Sequence, residues 1–211
     1  MKIAILLSGR IKGYRQSFQN IMNHMIQGNN VDFFASYPKE TSNDLLLPFL
    51  QIFQPTVFVR SDEEYFNIDR FPTPTHVCVK SRHNMMCMYL NRNYVYQLFE
   101  KYKKEKNIQY DLVFSCRLDF MIHSKLDLNT LLQKSKEGYI CIPEGEDHNG
   151  INDRMACGNE EEMKKYMTCY ESIEYLLDHG GTLHPETMLR EYFEYKEIKQ
   201  FRFPLGTHII V

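Results

Sequence analysis

The chain has 211 residues, enough for one good-sized domain and too few for two full ones. It carries 25 Lys and Arg against 27 Asp and Glu, a formal net charge of −2, which excludes the basic excess typical of nucleic-acid binding through phosphates. No stretch approaches the roughly 20 apolar residues of a membrane span, and the apolar run 3–7 is too short for a signal-peptide core. We therefore expect a cytoplasmic protein with no membrane span and no nucleic-acid partner.

Strand and helix patterns alternate in the first half of the chain. A continuous apolar run at 3–7, bounded by Ser8 and Gly9, is typical of a strand buried on both faces. The elements predicted after it are a helix over 14–26, a strand over 31–38, a helical segment over 43–53 that Pro48 interrupts, and a strand over 55–60. Residues 61–80 show no sustained period and contain two prolines, which favours a long loop or lid.

The longest predicted helix runs from 82 to 106, with apolar residues four apart on one stripe. The elements predicted after it are a strand over 110–120, a helix over 128–133, a strand over 138–143, a loop over 144–150, a short strand over 151–159, a helix to 177, a helix over 184–198 and a strand near 208–211. Asn159 is placed as the cap of the helix that ends near 177, with Glu162 three residues on. This order predicts a single α/β domain over 1–211, with a mostly parallel sheet covered by helices on both faces.

Cysteine spacing argues against a zinc ribbon or a thioredoxin-like site. Six cysteines are present, and no two of them have the C-x-x-C spacing. Cys116 and Cys141 lie inside apolar strand-like runs, where cysteine behaves as a small buried hydrophobe. We expect reduced thiols.

The first candidate ligand-binding segment is Ser8-Gly9-Arg10, directly after the first strand. Ligands of such sheets bind outside the carboxyl ends of the strands. Glycine permits a close backbone approach, and arginine can bind phosphate through a bidentate fork. An ordinary strand-to-helix turn with a surface arginine is the alternative. The segment has neither a P-loop nor a G-x-G-x-x-G pattern, which argues against a dinucleotide site.

The second candidate is the charged pair that ends the stretch "YDLVFSCRLDF" at 110–120. Arg117 and Asp119 are two residues apart, so in a strand they would point to the same side. Burying such groups is costly unless they are paired or coordinate a ligand. Asp119 could hold Mg²⁺ or Mn²⁺, and Arg117 could bind either phosphate or Asp119 itself.

A third group of candidates lies at 150–159 and 184–186. Asp153 follows a polar loop and is a candidate general base or acceptor of a substrate hydroxyl proton, although Arg154 beside it could make it a structural ion pair. His184 and Glu186 begin a helix, where glutamate is favoured by the dipole alone. Both a catalytic and a capping role are open for these two.

Taken in order, these motifs resemble those of small nucleotide-sugar glycosyltransferases with a GT-A-like fold. The resemblance is carried by a strand that ends in "SGR", by "YD-hydrophobic-x-x-x-R-x-D" at 110–119, by "ND-x-x-A-x-G" at 152–158 and by "HPE-x-x-L" at 184–189. Such enzymes occur in large DNA viruses, including algal viruses, where they would act in the host cytoplasm, and in bacterial surface-polysaccharide clusters. The resemblance implies a Rossmann-like single domain with a nucleotide-binding half at 1–120 and an acceptor-side half at 121–211.

The resemblance also implies a reaction and a site. A sugar would pass from a nucleoside-diphosphate sugar, with UDP favoured, to a glycan or other hydroxyl acceptor, in glycan biosynthesis. The implied nucleotide-sugar site is Ser8, Gly9, Arg10, Arg117 and Asp119; the implied catalytic or acceptor-side residues are Asp153, His184 and Glu186; and the implied ligands of Mn²⁺ or Mg²⁺ are Asp119 and His208. The family's motif is D-x-D, and its first acidic position is Arg117 here, which weakens the implied metal site.

Two other functions fit the same observations. A nucleotidyltransferase that makes sugar nucleotides also combines an α/β sheet with a carboxylate-bound metal, although "SGRIKGY" poorly matches its glycine-rich loop with lysine. A carbohydrate- or nucleotide-binding module without catalysis is the second, since 14 Tyr and 14 Phe offer faces on which sugars can stack.

Overall fold

The structure is a computed structural model that describes residues 1–62, 64–72 and 79–210, and within these the side chains of 79–81 and 208 are not described. The central sheet has seven strands in the order β3-β2-β1-β4-β7-β6-β8. The strands are β1 (Lys2–Ser8), β2 (Asn30–Pro38), β3 (Val57–Ser61), β4 (Leu112–Arg117), β6 (Ile140–Pro143), β7 (Met155–Gly158) and β8 (Gln200–Phe203). A separate antiparallel pair consists of β5 (Phe120–Ile122) and β9 (Thr207–Ile209).

Helices cover both faces of the sheet. Their bounds are α1 (Tyr14–Ile21, continued by a π-helical turn over Met22–Ile26), α2 (Asn43–Phe53), α3 (Val79–Lys106), α4 (Leu128–Lys136), α5 (Glu160–Met167), α6 (Tyr170–Asp178) and α7 (Pro185–Tyr195). Helices α1, α2 and α4 pack on one face, and α3, α5, α6 and α7 pack on the other. The predicted fold class, α/β with a mostly parallel central sheet between helices, is confirmed.

Strand β1 is the centre of the sheet because its side chains are buried on both faces. Ile3, Ile5 and Leu7 point into the core under α1 and α2, and Ala4 and Leu6 point into the core under α3. This alternation of an entirely apolar run is the pattern of a parallel strand covered on both sides. It confirms the sequence prediction for this strand.

The connections from β1 create a crevice at the end of the sheet where β1 and β4 terminate. From β1 the chain moves outward to β2 and β3 and then returns to place β4 on the other side of β1, and all these pairings are parallel. The point where the strand order reverses is where open α/β sheets bind ligands. Strand β7 runs antiparallel to β4 and β6, so its amino end lies at this same edge, beside the carboxyl end of β4.

Several predicted elements differ from the structure. The helix predicted up to 177 is two helices, and it breaks at Thr168, whose side chain donates to the backbone oxygen of Lys164 at 2.9 Å and competes with the helical hydrogen bonds. Strands β5 and β8 were not predicted. Helix α2 passes through Pro48 because the carbonyl that loses its partner belongs to the exposed first turn.

The predicted lid at 61–80 is only partly described. Residues 64–72 contain a single 3-10 turn at Ile68–Arg70 and otherwise irregular backbone, and α3 begins at Val79, three residues before the predicted start. Residues 63 and 73–78 lie outside the described residues. The lid role stays a prediction.

Candidate active site

A cleft of about 400 Å³ lies at the carboxyl ends of β1 and β4. It is lined by Ser8, Gly9, Arg10, Lys12, Pro38, Asn84, Met85, Cys87, Met88, Asn91, Arg117, Leu118, Asp119, Asp153, Arg154, Pro185, Glu186 and Ile209. Seven of the nine candidate residues named from the sequence are in this set; the other two are His184 and His208. The cleft therefore brings together candidate residues from four segments, 8–10, 117–119, 153 and 186, each more than 30 residues from the next.

The turn after β1 forms one wall of the cleft. Gly9 has a φ of 105°, a left-handed conformation that favours glycine, and its N–H donates to the Ser36 oxygen of β2 at 3.1 Å. Arg10 is exposed and donates to the side chain of Asn84 on α3 at 3.1 Å. Lys12, also exposed, follows it. Among the described residues, neither Arg10 nor Lys12 has an acidic partner.

Arg117 and Asp119 bind each other. Nε and Nη2 of Arg117 donate to the two carboxylate oxygens of Asp119, each at 2.9 Å, which is a bidentate pair. The side chain of Arg117 is 31% exposed and that of Asp119 is 14% exposed. Burial alone would lower the pKa of the Arg117 guanidinium, but the hydrogen bonds and charge of Asp119 raise it above its ordinary value. Phosphate and Asp119 are the two partners predicted for Arg117, and in the structure Arg117 binds Asp119.

Asp153 is hydrogen-bonded to a buried arginine of α3. Arg92 of α3 donates through Nη2 to the backbone oxygen of Asp153, and the same nitrogen lies 3.8 Å from the carboxylate of Asp153. The two side chains are 3% and 6% exposed. The guanidinium of Arg92 also lies 5.3 Å from the ring centres of both Tyr89 and Tyr166. Its Nη1 has no hydrogen-bond partner in the described part of the chain.

Arg154 does not neutralise Asp153. Its Nη2 lies 2.7 Å from a carboxylate oxygen of Glu146, in the polar loop before β7. The alternative in which Arg154 forms a structural ion pair with Asp153 is therefore wrong, because the partner of Asp153 is Arg92, 61 residues away along the chain.

Glu186 enters the cleft from the first turn of α7. Its backbone oxygen accepts from the Ile151 N–H at 2.9 Å, and Gly150 packs so closely that an added Cβ would overlap that oxygen. Burial, and after it the charge of Asp153, raises the pKa of the Glu186 carboxyl above its ordinary value. His184 does not line the cleft; its Nδ1 lies 3.6 Å from the Glu186 carboxylate and 3.1 Å from the Thr187 hydroxyl.

The α3 wall of the cleft was missed from the sequence. Asn84, Cys87, Met88 and Asn91 line it, and Asn91 belongs to a buried network in which its side-chain oxygen accepts from the hydroxyls of Ser36 and Ser61. The sequence feature that could have indicated this wall is the polar run Asn91-Arg92-Asn93 within a largely apolar helix.

The described side chains do not fit the predicted metal site. Both oxygens of Asp119 accept from Arg117, and within the described residues no group of three His, Cys, Asp or Glu side chains could hold an ion. The side chain of His208, the second predicted ligand, lies outside the described residues; its backbone pairs with Met121 between β9 and β5. The dependence on Mn²⁺ or Mg²⁺ stays a prediction.

Charge is divided between the two sides of the cleft. Arg10, Lys12 and Arg117 follow β1 and β4, whereas Asp153 and Glu186 precede β7 and open α7. One side can bind an anionic group, and the other offers carboxylates that can accept a proton. Such a cleft at the switch point of a mostly parallel sheet is the arrangement of an α/β protein that binds an anionic ligand.

Comparisons with known proteins add a family and a distant likeness to a solved structure. The family model "Domain of unknown function (DUF7796)" matches residues 75–209, and the chain belongs to this family. No curated protein matches the chain. A solved structure from Desulfovibrio desulfuricans G20, described as a "putative nucleotide-diphospho-sugar transferase", is 9% identical with a TM-score of 0.49, and the match covers 96% of this chain and 79% of that one.

No helix in the described part of the chain is both long enough and apolar enough to cross a membrane.

Proposed function

We propose that the protein is a glycosyltransferase that moves a sugar from a nucleoside-diphosphate sugar, UDP-linked by preference, to a hydroxyl of a glycan acceptor. The observation that carries the proposal is the division of charge in the cleft. Glycosyl transfer from such a donor needs positive charge where the diphosphate leaves and a base where the acceptor hydroxyl attacks. The cleft offers Arg10, Lys12 and Arg117 on one side and Asp153 and Glu186 on the other.

The proposed reaction is a single displacement. The acceptor oxygen forms a bond to the anomeric carbon, the bond from that carbon to the diphosphate oxygen breaks, and the diphosphate leaves with the bonding electrons. Asp153, whose position is held by Arg92, takes the acceptor proton. Arg117 stabilises the charge that develops on the leaving diphosphate. Glu186 faces the acceptor, and His184, outside the cleft, contacts the Glu186 carboxylate at 3.6 Å.

The test is to incubate the purified protein with UDP-sugars and GDP-sugars and to measure both binding, by calorimetry, and release of the nucleoside diphosphate. We expect saturable binding of one nucleotide class and release of its diphosphate that an added acceptor glycan accelerates. Release of pyrophosphate from a nucleoside triphosphate and a sugar phosphate would instead identify a nucleotidyltransferase. Binding with no turnover for any donor and acceptor would indicate a binding module.

Two carboxamide variants test the assignment of the base. Removal of a general base typically lowers the rate by about 100-fold to 10,000-fold. Asp153→Asn should show that loss with nucleotide affinity unchanged, whereas Glu186→Gln should lose less. Equal activity of Asp153→Asn and the unmodified protein would contradict the assignment.

A further inference from the structure

Arg117 and Asp119 form a prearranged phosphate-binding group. A guanidinium has five N–H donors, and two of them are used by Asp119, so three N–H donors of Arg117 remain. The side chain lines the cleft and is 31% exposed, so these donors belong to an accessible group. The bidentate contact holds the planar group in one orientation, which reduces the ordering cost when a ligand binds.

The carboxylate of Asp119 is poorly placed to act as a metal ligand. Each of its oxygens already accepts a charged hydrogen bond at 2.9 Å from Arg117. A divalent cation at Asp119 would have to displace this pair and would then lie beside the arginine charge. The described chain offers no cluster of three acidic, histidine or cysteine side chains that would compensate.

Other cations lie on the same side of the cleft. Arg10 is bonded to the neutral amide of Asn84, and Lys12 has no acidic partner among the described residues. Arg154 also lines the cleft, but the carboxylate of Glu146 neutralises it at 2.7 Å. The two cations without an acidic partner among the described residues, Arg10 and Lys12, therefore lie in the turn after Ser8, which pairs with Arg117 in the sheet.

We propose that this site binds the diphosphate group of its donor through Arg117, assisted by Arg10 and Lys12, and without a divalent metal ion. Asp119 is then a positioning residue that orients Arg117. The inference rests on the proposed function, since a nucleoside-diphosphate donor supplies the diphosphate. It replaces the metal site that the D-x-D resemblance implies.

The first test compares UDP and GDP binding by calorimetry in EDTA and in Mn²⁺. We expect the better-bound nucleotide to have dissociation constants in the two conditions that agree within fivefold. A gain of fivefold or more from Mn²⁺ would overturn the inference and leave the proposed function intact. Absence of binding of both nucleotides in both conditions would overturn the proposed function as well, so the two failures can be distinguished.

The second test removes the guanidinium. Arg117→Met should weaken binding of that nucleotide in EDTA by about tenfold or more, because a hydrogen-bonded charge is lost. Arg117→Lys should recover part of the loss, since it keeps the charge without the fork. Lys136→Met makes the same change in charge at the opposite edge of the sheet, at the exposed end of α4, and should leave the affinity within twofold. Equal affinities for Arg117→Met and Lys136→Met would overturn the inference.

A double-mutant cycle tests the positioning role of Asp119. Asp119→Asn should change the affinity when Arg117 is present and should change it by less than twofold in the Arg117→Met background. The Asn variant should also bind equally in EDTA and in Mn²⁺. An undiminished effect in the Arg117→Met background would assign Asp119 its own contact with the ligand and overturn the positioning role. Circular dichroism of each variant checks that the fold is retained.

Discussion

Replacement of Arg92 by methionine should destabilise the protein, because it leaves Asp153 as an uncompensated buried carboxylate. Removing one partner of a buried ion pair typically costs about 3–5 kcal/mol. Nη1 of Arg92 has no hydrogen-bond partner in the described structure, and burying such a group costs about 1–3 kcal/mol. Removing it offsets part of the loss in the free energy of unfolding. The expected net loss is therefore about 2 kcal/mol in the free energy of unfolding.

Urea unfolding monitored by circular dichroism measures this loss. In a domain of this size, about 2 kcal/mol corresponds to a fall in Tm of about 4–8 °C. The double variant Arg92→Met with Asp153→Asn should recover most of the stability, because no charge is then left buried without a partner. Arg117→Met serves as the control and should cost about 1 kcal/mol or less, since that arginine is more exposed. A loss below about 0.5 kcal/mol for Arg92→Met would refute the reasoning.

Three further predictions concern the turns and the acid at the cleft. Gly150→Ala should cost about 1–3 kcal/mol and loosen the start of α7, because its Cβ would overlap the Glu186 oxygen; thermal unfolding measures this. Gly9→Ala should cost about 1–2 kcal/mol from backbone strain alone, since the space around it is open, and should weaken nucleotide binding in calorimetry. Because the pKa of Glu186 is raised, this carboxyl binds a proton more tightly in the folded protein than in the unfolded chain. Its contribution to the free energy of unfolding is therefore present below the ordinary glutamate pKa and is lost as pH rises. Urea unfolding between pH 4 and 7 should therefore show a steeper decline for the unmodified protein than for Glu186→Gln, and parallel curves would contradict this.

Local signals in the sequence were sufficient for the elements that frame the site. The apolar run of β1 predicts a buried strand and the helical spacing at 82–106 predicts a long helix, and the structure contains both elements. The cap at Asn159 is also present, with its side chain accepting from the Glu162 N–H at 2.9 Å. These features depend on neighbours in the chain, which is why a pattern of residue types predicts them.

The remainder depends on contacts between distant segments. Strand β8 has four residues and pairs with β6 at the edge of the sheet, so its alternation is too short to separate from a loop. Arg92 appears in the sequence as one polar residue within a helix, and nothing near it indicates that its partner is Asp153. Sequence spacing left two partners open for Arg117, and only the path of the chain after β4 brings Asp119 against it.

The direction of β7 explains how both kinds of charge reach one cleft. Side chains that follow parallel strands meet at one edge of the sheet, which places Arg10 and Arg117 together after β1 and β4. Asp153 precedes β7, so if β7 were parallel to β4, Asp153 would lie at the other end of the strands, away from Arg117. Because β7 is antiparallel, Met155 pairs with Cys116, and the Arg117 N–H donates to the Arg154 oxygen at 3.3 Å. In the proposed reaction, the antiparallel direction of β7 therefore places the base, Asp153, beside the residues that bind the diphosphate. The base and the diphosphate-binding residues come from separate segments of the chain.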